Sequence, residues 1–476
     1  MKKLKELVNC EYDIDVLGIK TNSKNVTIGD VFVCTDMGTL DRHNFIDDAI
    51  SNGAVAIIAK KDVGKKTVPV IIVDDPNTIF TKMCAKFYDY PNSKLKIYGV
   101  TGTDGKTSVA TIISTLLPDT GYIGTNGITC KYFQEKTLNT TPDADKLYYY
   151  FDQFVKNDIK NVSLEVSSES LMRGRVREIN FDVSIMTNIT KEHLNIHGTL
   201  EKYISDKCEL FRKCKKDGYC VLNIDDEHYL EVLNNCNGKP VTYGSKETAD
   251  LYFYDVKLFP DKTLFKIKYQ DNVYNIESPL IAKFNVYNLS AAILALLVTG
   301  YQMKDIVKNI HNIKISGRLQ NIELGQDFKL FIDYAHTPNG IANLLEFANS
   351  LPKNKLIVVF SEPGERDATK RPEKGYNVIT NCDHAIITSQ DPRDEDPNKI
   401  VSDLLTLVKD KANYEIILDR SLAIKKAIDM AKKNDLVLII GKGSETYQIF
   451  KDKTIYFSDI EEATKHLKDR LAKITN

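Results

Sequence analysis

A short glycine-containing segment constrains the fold of this chain more than any other feature. It reads Thr101-Gly102-Thr103-Asp104-Gly105-Lys106-Thr107-Ser108. The apolar stretch before it, 95–100, predicts a buried strand, and apolar residues recur at helical spacing through 109–117. A strand, a tight turn and a helix start are the arrangement of a phosphate-binding loop, in which backbone N–H groups face the anion.

The residue types in this segment favour a nucleoside triphosphate as the ligand. Small residues let the backbone wrap the phosphates, Lys106 is placed to reach the terminal phosphates, and the Thr107 hydroxyl is placed to hold magnesium. Val100 stands where the consensus loop has its first glycine, so an ordinary strand-to-helix turn is the alternative. The predicted phosphate-binding residues are Gly102, Thr103, Asp104, Gly105, Lys106, Thr107 and Ser108.

Length and charge narrow the class of protein. The chain has 476 residues and a net charge of −1, which predicts several domains and gives no reason to expect nucleic acid or an anionic membrane surface as a partner. No apolar run approaches a membrane span, and the charged N-terminus lacks a signal-peptide core. The nine cysteines are scattered without zinc-type spacing, so we predict reduced thiols in a cytoplasmic protein.

Apolar strands alternate with helical stretches along most of the chain, which predicts an α/β fold. We expect three domains: an N-terminal domain at 1–96, a central P-loop-type ATPase domain at 97–316, and a C-terminal Rossmann-like parallel-sheet domain at 317–476. In such sheets ligands lie beyond the carboxyl ends of the strands. The predicted strands are 54–59, 68–73, 95–100, 162–166, 183–186, 330–333, 356–360, 384–388, 415–418 and 436–440.

Two polar residues follow predicted strand ends in the central domain. Glu165 closes the strand at 162–166, where a carboxylate beside a phosphate loop is placed to hold magnesium through oxygen. His193 follows the next strand and could be a metal ligand or a base. A surface acid and a histidine with neither role are the alternatives.

Amides and cations mark other candidate positions. Asn285 and Asn288 precede the apolar helical stretch 289–298, where their amides suit recognition of a purine ring, although helix capping is the commoner use. Arg371 and Arg393 lie on predicted loops, and their planar guanidinium groups match carboxylates or phosphates. Solvated surface arginines are the alternative.

Taken together and in order, these motifs resemble the Mur ligase family of ATP-dependent amide-bond ligases, and most closely its UDP-N-acetylmuramoyl-tripeptide synthetase (MurE) type. The resemblance covers nearly the whole chain. No single motif is decisive, but so many in the same order are hard to obtain by chance. Besides the phosphate loop, the matching segments are 21–24, 29–33, 43–46, 140–142, 165–168, 187–188, 285–288, 317–318, 333–338, 366–367, 370–372, 391–393 and 441–445.

The resemblance implies a two-step reaction. A substrate carboxylate attacks the γ-phosphate of ATP to form an acyl phosphate, and an amine then displaces phosphate. It implies catalytic roles for Lys106, Lys207 and His193. The implied Mg²⁺ ligands are Thr107, Glu165, His193 and Lys207, the last as a carbamylated lysine that supplies anionic oxygen.

The resemblance also distributes the substrates over the domains. It implies a UDP-linked muramoyl dipeptide as the acceptor, a diamino acid as the amine, and a monomeric protein. The implied residues are Asn285, Asn288, Arg318 and Asp333 for ATP; Ser23, Thr140, Thr141, Ser167 and Arg175 for the acceptor; and Arg371, Asp391, Arg393, Gly441 and Glu445 for the amino acid.

Several positions depart from the family pattern. Asp104 replaces an asparagine, Glu169 and Ser444 replace histidines, and Gln390-Asp391-Pro392-Arg393 replaces Asp-Asn-Pro-Arg. The retained Arg393 favours meso-diaminopimelate over lysine because it can bind a distal carboxylate, although an acid at 391 would attract an ammonium group. The alternatives are a divergent paralogue acting on another carboxylate acceptor and a non-catalytic nucleotide-binding partner subunit.

Overall fold

The computed structural model describes residues 1–36, 40–137 and 139–475. Three main sheets follow one another along the chain, and parallel strands covered by helices dominate all three. The predicted α/β class with three sheet-containing regions is confirmed. The exact boundaries at 96/97 and 316/317 stay predictions, and Asn476, at the end of the third predicted domain, lies outside the described residues.

The N-terminal region contains a four-stranded parallel sheet in the order β3-β4-β5-β6. The start of its last helix is stabilised because the Asp75 carboxylate accepts hydrogen bonds from the Asn77 and Thr78 amides and Pro76 occupies the first turn. The elements are β1 (Lys2–Lys3), α1 (Leu4–Leu7), β2 (Asp15–Val16), β3 (Gly18–Lys20), β4 (Asp30–Val33), α2 (Ile46–Ser51), β5 (Ala56–Ala59), β6 (Val70–Ile72) and α3 (Pro76–Phe87).

The central region forms an eleven-stranded sheet in the order β10-β9-β8-β11-β7-β12-β13-β14-β15-β16-β17. Its strands are β7 (Lys96–Thr101), β8 (Thr120–Gly124), β9 (Gly127–Thr129), β10 (Gln134–Glu135), β11 (Asn161–Glu165), β12 (Phe181–Met186), β13 (Cys214–Asn223), β14 (Lys239–Gly244), β15 (Leu251–Leu258), β16 (Thr263–Tyr269) and β17 (Asn272–Ser278). Its helices are α4 (Lys106–Leu116), α5 (Ala144–Lys156), α6 (Ser168–Met172), α7 (Leu194–His197), α8 (Leu200–Arg212), α9 (Tyr229–Leu233), α10 (Lys283–Val298) and α11 (Met303–Asn309).

Strand order explains why distant segments meet at the phosphate loop. β7, which feeds the loop, pairs in parallel with β11 on one side and β12 on the other. Parallel neighbours end at the same edge of a sheet, so the segments after β11 and β12 flank the loop. Glu165 and the 187–193 segment therefore come to this edge.

Helix α10 corrects one expectation. The sequence placed Asn285 and Asn288 before an apolar helix, but the helix already begins at Lys283 and both side chains are buried within it. The Asn285 amide donates to the Ile281 carbonyl one turn back, at 2.8 Å. Neither asparagine is the N-cap, a position that Ala282 occupies.

The C-terminal region has a six-stranded sheet in the order β18-β19-β23-β20-β21-β22, parallel except at β18. Its elements are β18 (Gln320–Asn321), β19 (Lys329–Asp333), α12 (Pro338–Ser350), β20 (Leu356–Phe360), α13 (Arg371–Thr380), β21 (His384–Ile387), α14 (Pro397–Leu404), β22 (Tyr414–Ile416), α15 (Arg420–Met430), β23 (Leu436–Ile440), β24 (Tyr447–Ile449), β25 (Thr454–Tyr456) and α16 (Asp459–Thr475). Short 3-10 helices elsewhere cover Ser23–Asn25, Arg42–Phe45, Pro91–Lys94, Ile310–Asn312 and Ala368–Lys370.

Two whole-chain features complete the description. All nine cysteines are free thiols. Across 1–36, 40–137 and 139–475, we find no helix with the length and apolar character that crossing a bilayer requires.

Candidate active site

Two glycines allow the phosphate loop to close onto its neighbours. Gly102 has a φ of +154°, and a Cβ there would lie 1.8 Å from the Thr187 hydroxyl oxygen. Gly105 has a φ of +84°, and a Cβ there would lie 2.5 Å from the Asn288 side-chain oxygen. Any larger residue would push the loop off the two segments that hold it. The loop is therefore built for close backbone approach.

Lys106 folds back over this loop. Its Nζ donates to the carbonyls of Gly102 and Thr103, each at 2.9 Å. Burial lowers the pKa of this ammonium, and the nearby carboxylates of Glu165 and Asp104 oppose that shift. The ammonium thus lies within the loop, where its charge can face a bound phosphate.

Thr107 and Glu165 meet at the start of α4. The Thr107 hydroxyl donates to one Glu165 oxygen at 2.9 Å, and Tyr122 donates to the other at 2.5 Å. The carboxylate is fully buried and also accepts the Thr125 amide at 2.9 Å. The Thr107 hydroxyl and the Glu165 carboxylate are oxygen ligands of the kind that suits Mg²⁺. This ion takes few ligands from the protein, and water or phosphate oxygens complete its coordination. Ser108, next in the helix, is buried.

His193 lies on the neighbouring loop with a left-handed backbone, φ +56°. Burial, reinforced by the nearby ammonium groups of Lys106 and Lys207, lowers the pKa of its imidazole to about 3. The ring is therefore neutral at physiological pH, which is the form that coordinates metals. No cluster of three or more His, Cys, Asp or Glu side chains suited to a metal occurs among the described residues. A metal here would depend on Thr107, a modified lysine or ligand oxygens as well.

Lys207 projects from α8 into the same buried space. Its Nζ donates to the Gly102 carbonyl at 2.7 Å and lies 4.6 Å from the centre of the Tyr203 ring. Burial lowers the pKa of this amine well below its ordinary range, and Lys106 adds repulsion. A buried lysine beside a second cation is poised to be neutral and reactive.

The residues predicted to bind ATP outside the phosphate loop lie close to it. Asn288 donates to the side-chain oxygen of Asn285 at 3.0 Å. Arg318 approaches the Thr107 hydroxyl at 3.5 Å and stacks on the Tyr334 ring at 4.5 Å. The contact between Arg318 and Thr107 joins the C-terminal and central regions beside the loop.

Asp333 organises the backbone beside Arg318. One carboxylate oxygen accepts the Leu319 amide at 2.6 Å and the other accepts the Ala335 amide at 2.7 Å. Burial raises the pKa of this carboxyl, and the Arg318 guanidinium opposes the rise. Asp333 thus fixes the two segments that enter and leave the nucleotide side of the C-terminal region.

Asp104, the departure within the loop, contacts the C-terminal region. Both of its oxygens lie close to the Thr337 hydroxyl, at 3.0 and 3.1 Å. Thr337 is the N-cap of α12 and also accepts the Gly340 amide at 2.9 Å. A carboxylate at this helix start is favoured by the exposed N–H groups. The added negative charge is therefore used in a contact between two regions.

We expect Thr337→Val to weaken this contact. The variant removes the helix cap and leaves the Asp104 carboxylate without its hydroxyl donor, at a cost of about 1–3 kcal/mol. The thermal unfolding midpoint of the C-terminal region should fall accordingly. Thr337→Ser keeps the hydroxyl and serves as the matched control; a Val variant with the midpoint of the Ser variant would contradict the expectation.

Four of the five residues predicted for the acceptor, Thr140, Thr141, Ser167 and Arg175, lie in one network around Thr141. Its hydroxyl donates to the Glu165 carbonyl at 2.8 Å and accepts the Ser167 amide at 3.1 Å. Arg175 donates to the Thr141 carbonyl at 3.1 Å and pairs with Asp143 at 2.7 Å. The hydroxyl oxygens of Thr140 and Thr125 are 3.1 Å apart.

This network opens onto a small cavity of about 30 Å³ between the N-terminal and central regions. Arg175 and Asp143 line it from one side, and Thr21 and Thr35 line it from the other. Ser23 is buried two residues beyond Thr21. Of the predicted acceptor residues, Arg175 therefore lies directly at this interface.

Glu169 does not present an isolated negative charge there. Its carboxylate lies 2.8 Å from the Arg173 Nε, one turn along in the chain. Both side chains are partly exposed. The replacement of histidine by glutamate is therefore neutralised locally.

A buried charge cluster occupies the predicted amino-acid side. Lys442, with a fully buried side chain, lies 3.1 and 3.2 Å from the two Asp391 oxygens and 3.1 Å from Glu445. The Tyr334 and Tyr447 hydroxyls donate to Glu445 at 3.2 and 3.3 Å. Asp391 is therefore paired with Lys442, a cation that it shares with Glu445.

The two predicted arginines differ in availability. Arg371 is 1% exposed, and its guanidinium bonds to Glu395 at 2.8 and 3.0 Å and to Asp403 at 3.0 Å. Arg393 is a quarter exposed, lies 3.8 Å from Glu365, and has a buried Nε with no hydrogen-bond partner in the described part of the chain. Arg393 is thus the available cation, and Arg371 is held by its own carboxylates.

Gly441 and Ser444 shape the same turn. Gly441 has a φ of +118°, and a Cβ there would meet the Gln390 side-chain oxygen at 2.7 Å. Ser444, which replaces a family histidine, donates to the Asn126 side chain of the central region at 2.8 Å. The turn therefore contacts both the sheet edge and the central region.

Sequence reasoning missed several residues of this site. Lys442, Thr337, Tyr203 and Asn188 were not assigned roles, although Asn188 accepts the Asp104 amide at 2.9 Å. Lys442 lay within a quoted turn, and its position between two glycines was the available signal. Asn188 and Thr337 also lay within quoted segments, but their contacts with Asp104 join distant parts of the chain, and the sequence did not show that pairing.

Comparison with known proteins places these features in context. The family model described as "Mur ligase middle domain" matches residues 100–296, and "Mur ligase, glutamate ligase domain" matches residues 317–443. UDP-N-acetylmuramoyl-L-alanyl-D-glutamate–2,6-diaminopimelate ligase of Halalkalibacterium halodurans is 36% identical over 96% of this chain and 95% of the relative. The ligase of the same name from Fusobacterium nucleatum is 37% identical over 98% and 96%.

Solved structures agree in fold. A structure of a UDP-N-acetylmuramoyl-L-alanyl-D-glutamate–2,6-diaminopimelate ligase superposes with a TM-score of 0.69 at 28% identity, covering 99% of both chains. MurF ligase from Thermotoga maritima in complex with ADP gives a TM-score of 0.67 at 20% identity over 96% of this chain and 98% of that chain. The second likeness concerns the fold alone.

Proposed function

The chain belongs to the Mur ligase family of ATP-dependent amide-bond-forming ligases, and we propose that it joins meso-diaminopimelate to UDP-N-acetylmuramoyl-L-alanyl-D-glutamate in peptidoglycan precursor synthesis. The observation that carries the proposal is that Glu165 joins the phosphate loop to the Thr141 network, and that the turn holding Lys442 contacts the same central region through Ser444 and Asn126. Full-length identity of 36–37% to relatives named for this reaction supports it.

The first step needs positive charge around the γ-phosphate. The loop amides, Lys106 and Arg318 would hold the triphosphate in line with the acceptor carboxylate. Mg²⁺ held by Thr107, Glu165, His193 and carbamylated Lys207 would neutralise developing charge on phosphate oxygens. Asn285, Asn288 and Asp333 would position the rest of ATP.

Carbamylation of Lys207 is consistent with its surroundings. The neutral amine attacks CO₂, forms an N–C bond and releases a proton, leaving an anionic carbamate. Burial favours the neutral amine that this reaction requires. The carbamate would place a negative charge beside Lys106, whose ammonium attracts it.

The acceptor would lie between the N-terminal and central regions, on Ser23, Thr140, Thr141, Ser167 and Arg175. The amine would approach from the C-terminal region, on Arg393, Asp391, Gly441 and Glu445. Arg371 would position the surrounding loops, because Glu395 and Asp403 already hold its guanidinium. We further propose that the enzyme acts as a cytoplasmic monomer without nucleic-acid or membrane partners.

The test is a panel of amines. Purified protein with ATP, Mg²⁺ and UDP-N-acetylmuramoyl-alanyl-glutamate receives diaminopimelate, lysine, ornithine or no amine, and phosphate release and product mass are followed. A product heavier by one diaminopimelate residue supports the proposal. Turnover with lysine alone would contradict the amine assignment, and phosphate release only with a different carboxylate acceptor would favour the divergent paralogue.

We expect Arg393→Ala to act on the amine selectively. Loss of a charge-assisted contact to the distal carboxylate should raise the KM for diaminopimelate about 10–100-fold, with the KM for ATP unchanged. Arg212→Ala, on α8, is the control, since its guanidinium contacts Asn235 at the surface. An unchanged KM for diaminopimelate would remove Arg393 from the amine site.

A further inference from the structure

A buried histidine outside the assigned site joins two parts of it. The His197 side chain is completely buried, and its Nδ1 lies 2.7 Å from an Asp206 oxygen. Its Nε2 lies 3.1 Å from the Ser168 hydroxyl oxygen. The other Asp206 oxygen accepts the Lys202 ammonium at 2.5 Å. Every polar atom of the imidazole therefore has a partner.

In the neutral imidazole, the partners set the direction of the hydrogen bonds. The Asp206 carboxylate accepts the proton on Nδ1, and Nε2 is then an acceptor. Ser168 then donates its hydroxyl proton to Nε2. Serine, histidine and aspartate form one directed chain of hydrogen bonds inside the protein.

The two ends of this chain lie beside assigned residues. Ser168 follows Ser167 in sequence and begins α6, on the acceptor side. Asp206 precedes Lys207 on α8. His197 therefore links the segment proposed to bind the acceptor with the helix that carries the proposed carbamate.

The ring of His197 also supports the phosphate loop. It packs edge-on against Tyr203 with centroids 5.2 Å apart, and Lys207 lies over the same tyrosine ring. The hydroxyl oxygens of Tyr203 and Thr103 are 3.1 Å apart. The acceptor segment, the Lys207 helix and the phosphate loop thus meet through two aromatic rings.

We propose that His197 is a positioning residue that holds the acceptor segment at a fixed distance from Lys207 and the phosphate loop. It touches no reacting atom; it acts through Ser168, Asp206 and Tyr203. In the first step the acceptor carboxylate must lie in line with the γ-phosphate, and small displacements are costly. The inference rests on the proposed function, because the acceptor and the carbamate belong to it.

Single replacements can separate the two hydrogen bonds of the imidazole, one to Asp206 and one to Ser168. In His197→Asn the short amide retains the contact with Asp206 and loses Ser168, whereas in His197→Gln the longer amide reaches Ser168 and loses Asp206. Ser168→Ala removes the hydrogen bond between Ser168 and Nε2 by deleting the hydroxyl group. His466→Asn is the matched control, because His466 is also buried and also lies 2.9 Å from a serine, Ser421, away from this site.

Steady-state kinetics with the wild-type enzyme and these variants test the inference. For His197→Asn and Ser168→Ala we expect the acceptor KM to rise about tenfold, as for one lost hydrogen bond, with the ATP KM nearly unchanged. The double variant, which combines His197→Asn with Ser168→Ala, should have an acceptor KM no higher than that of either single variant. For His197→Gln we expect a higher bicarbonate concentration for half-maximal activity.

Four results would overturn it. The His197 variants could lose activity only in proportion to folded protein, as His466→Asn would, with no change in either KM. Ser168→Ala could abolish turnover while both His197 variants keep it, which would make the hydroxyl a reacting group. Wild-type turnover with unaltered variants refutes this inference alone, whereas no wild-type turnover with any amine refutes the proposed function and this inference with it.

Discussion

Lys106→Ala should abolish ATP-dependent product formation while leaving the protein folded. Lys106 is the ammonium inside the phosphate loop, where it donates to two loop carbonyls and lies within reach of the terminal phosphates that the loop amides would hold. Removing a preorganised cation from a transition state with developing negative charge costs about 10²–10³-fold in kcat. The measurement is phosphate release under saturating ATP and acceptor.

The matched control is Lys304→Ala, on the exposed first turn of α11. It removes the same side chain from a surface position and should keep wild-type turnover. If Lys106→Ala stays within threefold of the wild-type rate, the loop does not act on the triphosphate. A loss of rate accompanied by a lower unfolding temperature would instead point to a structural role of the loop.

Lys207→Arg should be nearly as severe. Arginine keeps a positive charge but cannot form a carbamate, so the anionic ligand beside Lys106 would be replaced by a second cation. Loss of a metal-ligand oxygen and its replacement by repulsion should lower kcat by at least about 10²-fold. Activity assays with and without added bicarbonate provide the rate.

A spectroscopic signal tests the same residue independently of turnover. Wild-type protein equilibrated with ¹³C-bicarbonate should show one carbamate carbon resonance that disappears in Lys207→Arg. Lys215→Arg is the control, since Lys215 pairs with Asp182 at the protein surface. Absence of the resonance, together with full activity of Lys207→Arg, would contradict the carbamate.

The phosphate loop and the strands around it could be predicted because their signals are local. Glycines at 102 and 105, a lysine at 106 and the flanking apolar segments lie within a few residues of one another. Strands at 162–166, 183–186 and 436–440 differ from the observed β11, β12 and β23 by two residues or fewer at their ends. Short apolar runs of this kind indicate buried strands.

The start of α10 could not be predicted from the same signals. Asn285 and Asn288 are polar residues that are commoner at helix caps, yet both are buried inside the helix. Contact with the phosphate loop at Gly105 overrides the local preference. The pattern therefore placed the boundary too late.

The pairing of charged and polar residues far apart in the sequence could be seen only in the structure. Asp391 was ambiguous in the sequence, and Lys442, 51 positions later, pairs with it. Asp104 and Thr337 are 233 positions apart. Arg371 illustrates the reverse case: an attractive cation in the sequence that two carboxylates already hold. Such pairings depend on tertiary contacts and leave no periodic signal.

One measurement tests most directly that this enzyme forms an acyl phosphate on a carboxylate acceptor. The muramoyl dipeptide, labelled with ¹⁸O in the glutamate carboxyl group that reacts, is incubated with ATP, Mg²⁺ and diaminopimelate, and released phosphate is analysed by mass. Transfer of one ¹⁸O atom to each phosphate, with a product heavier by one diaminopimelate residue, is the expected result. Unlabelled phosphate would show hydrolysis of ATP without acceptor activation and would contradict the account.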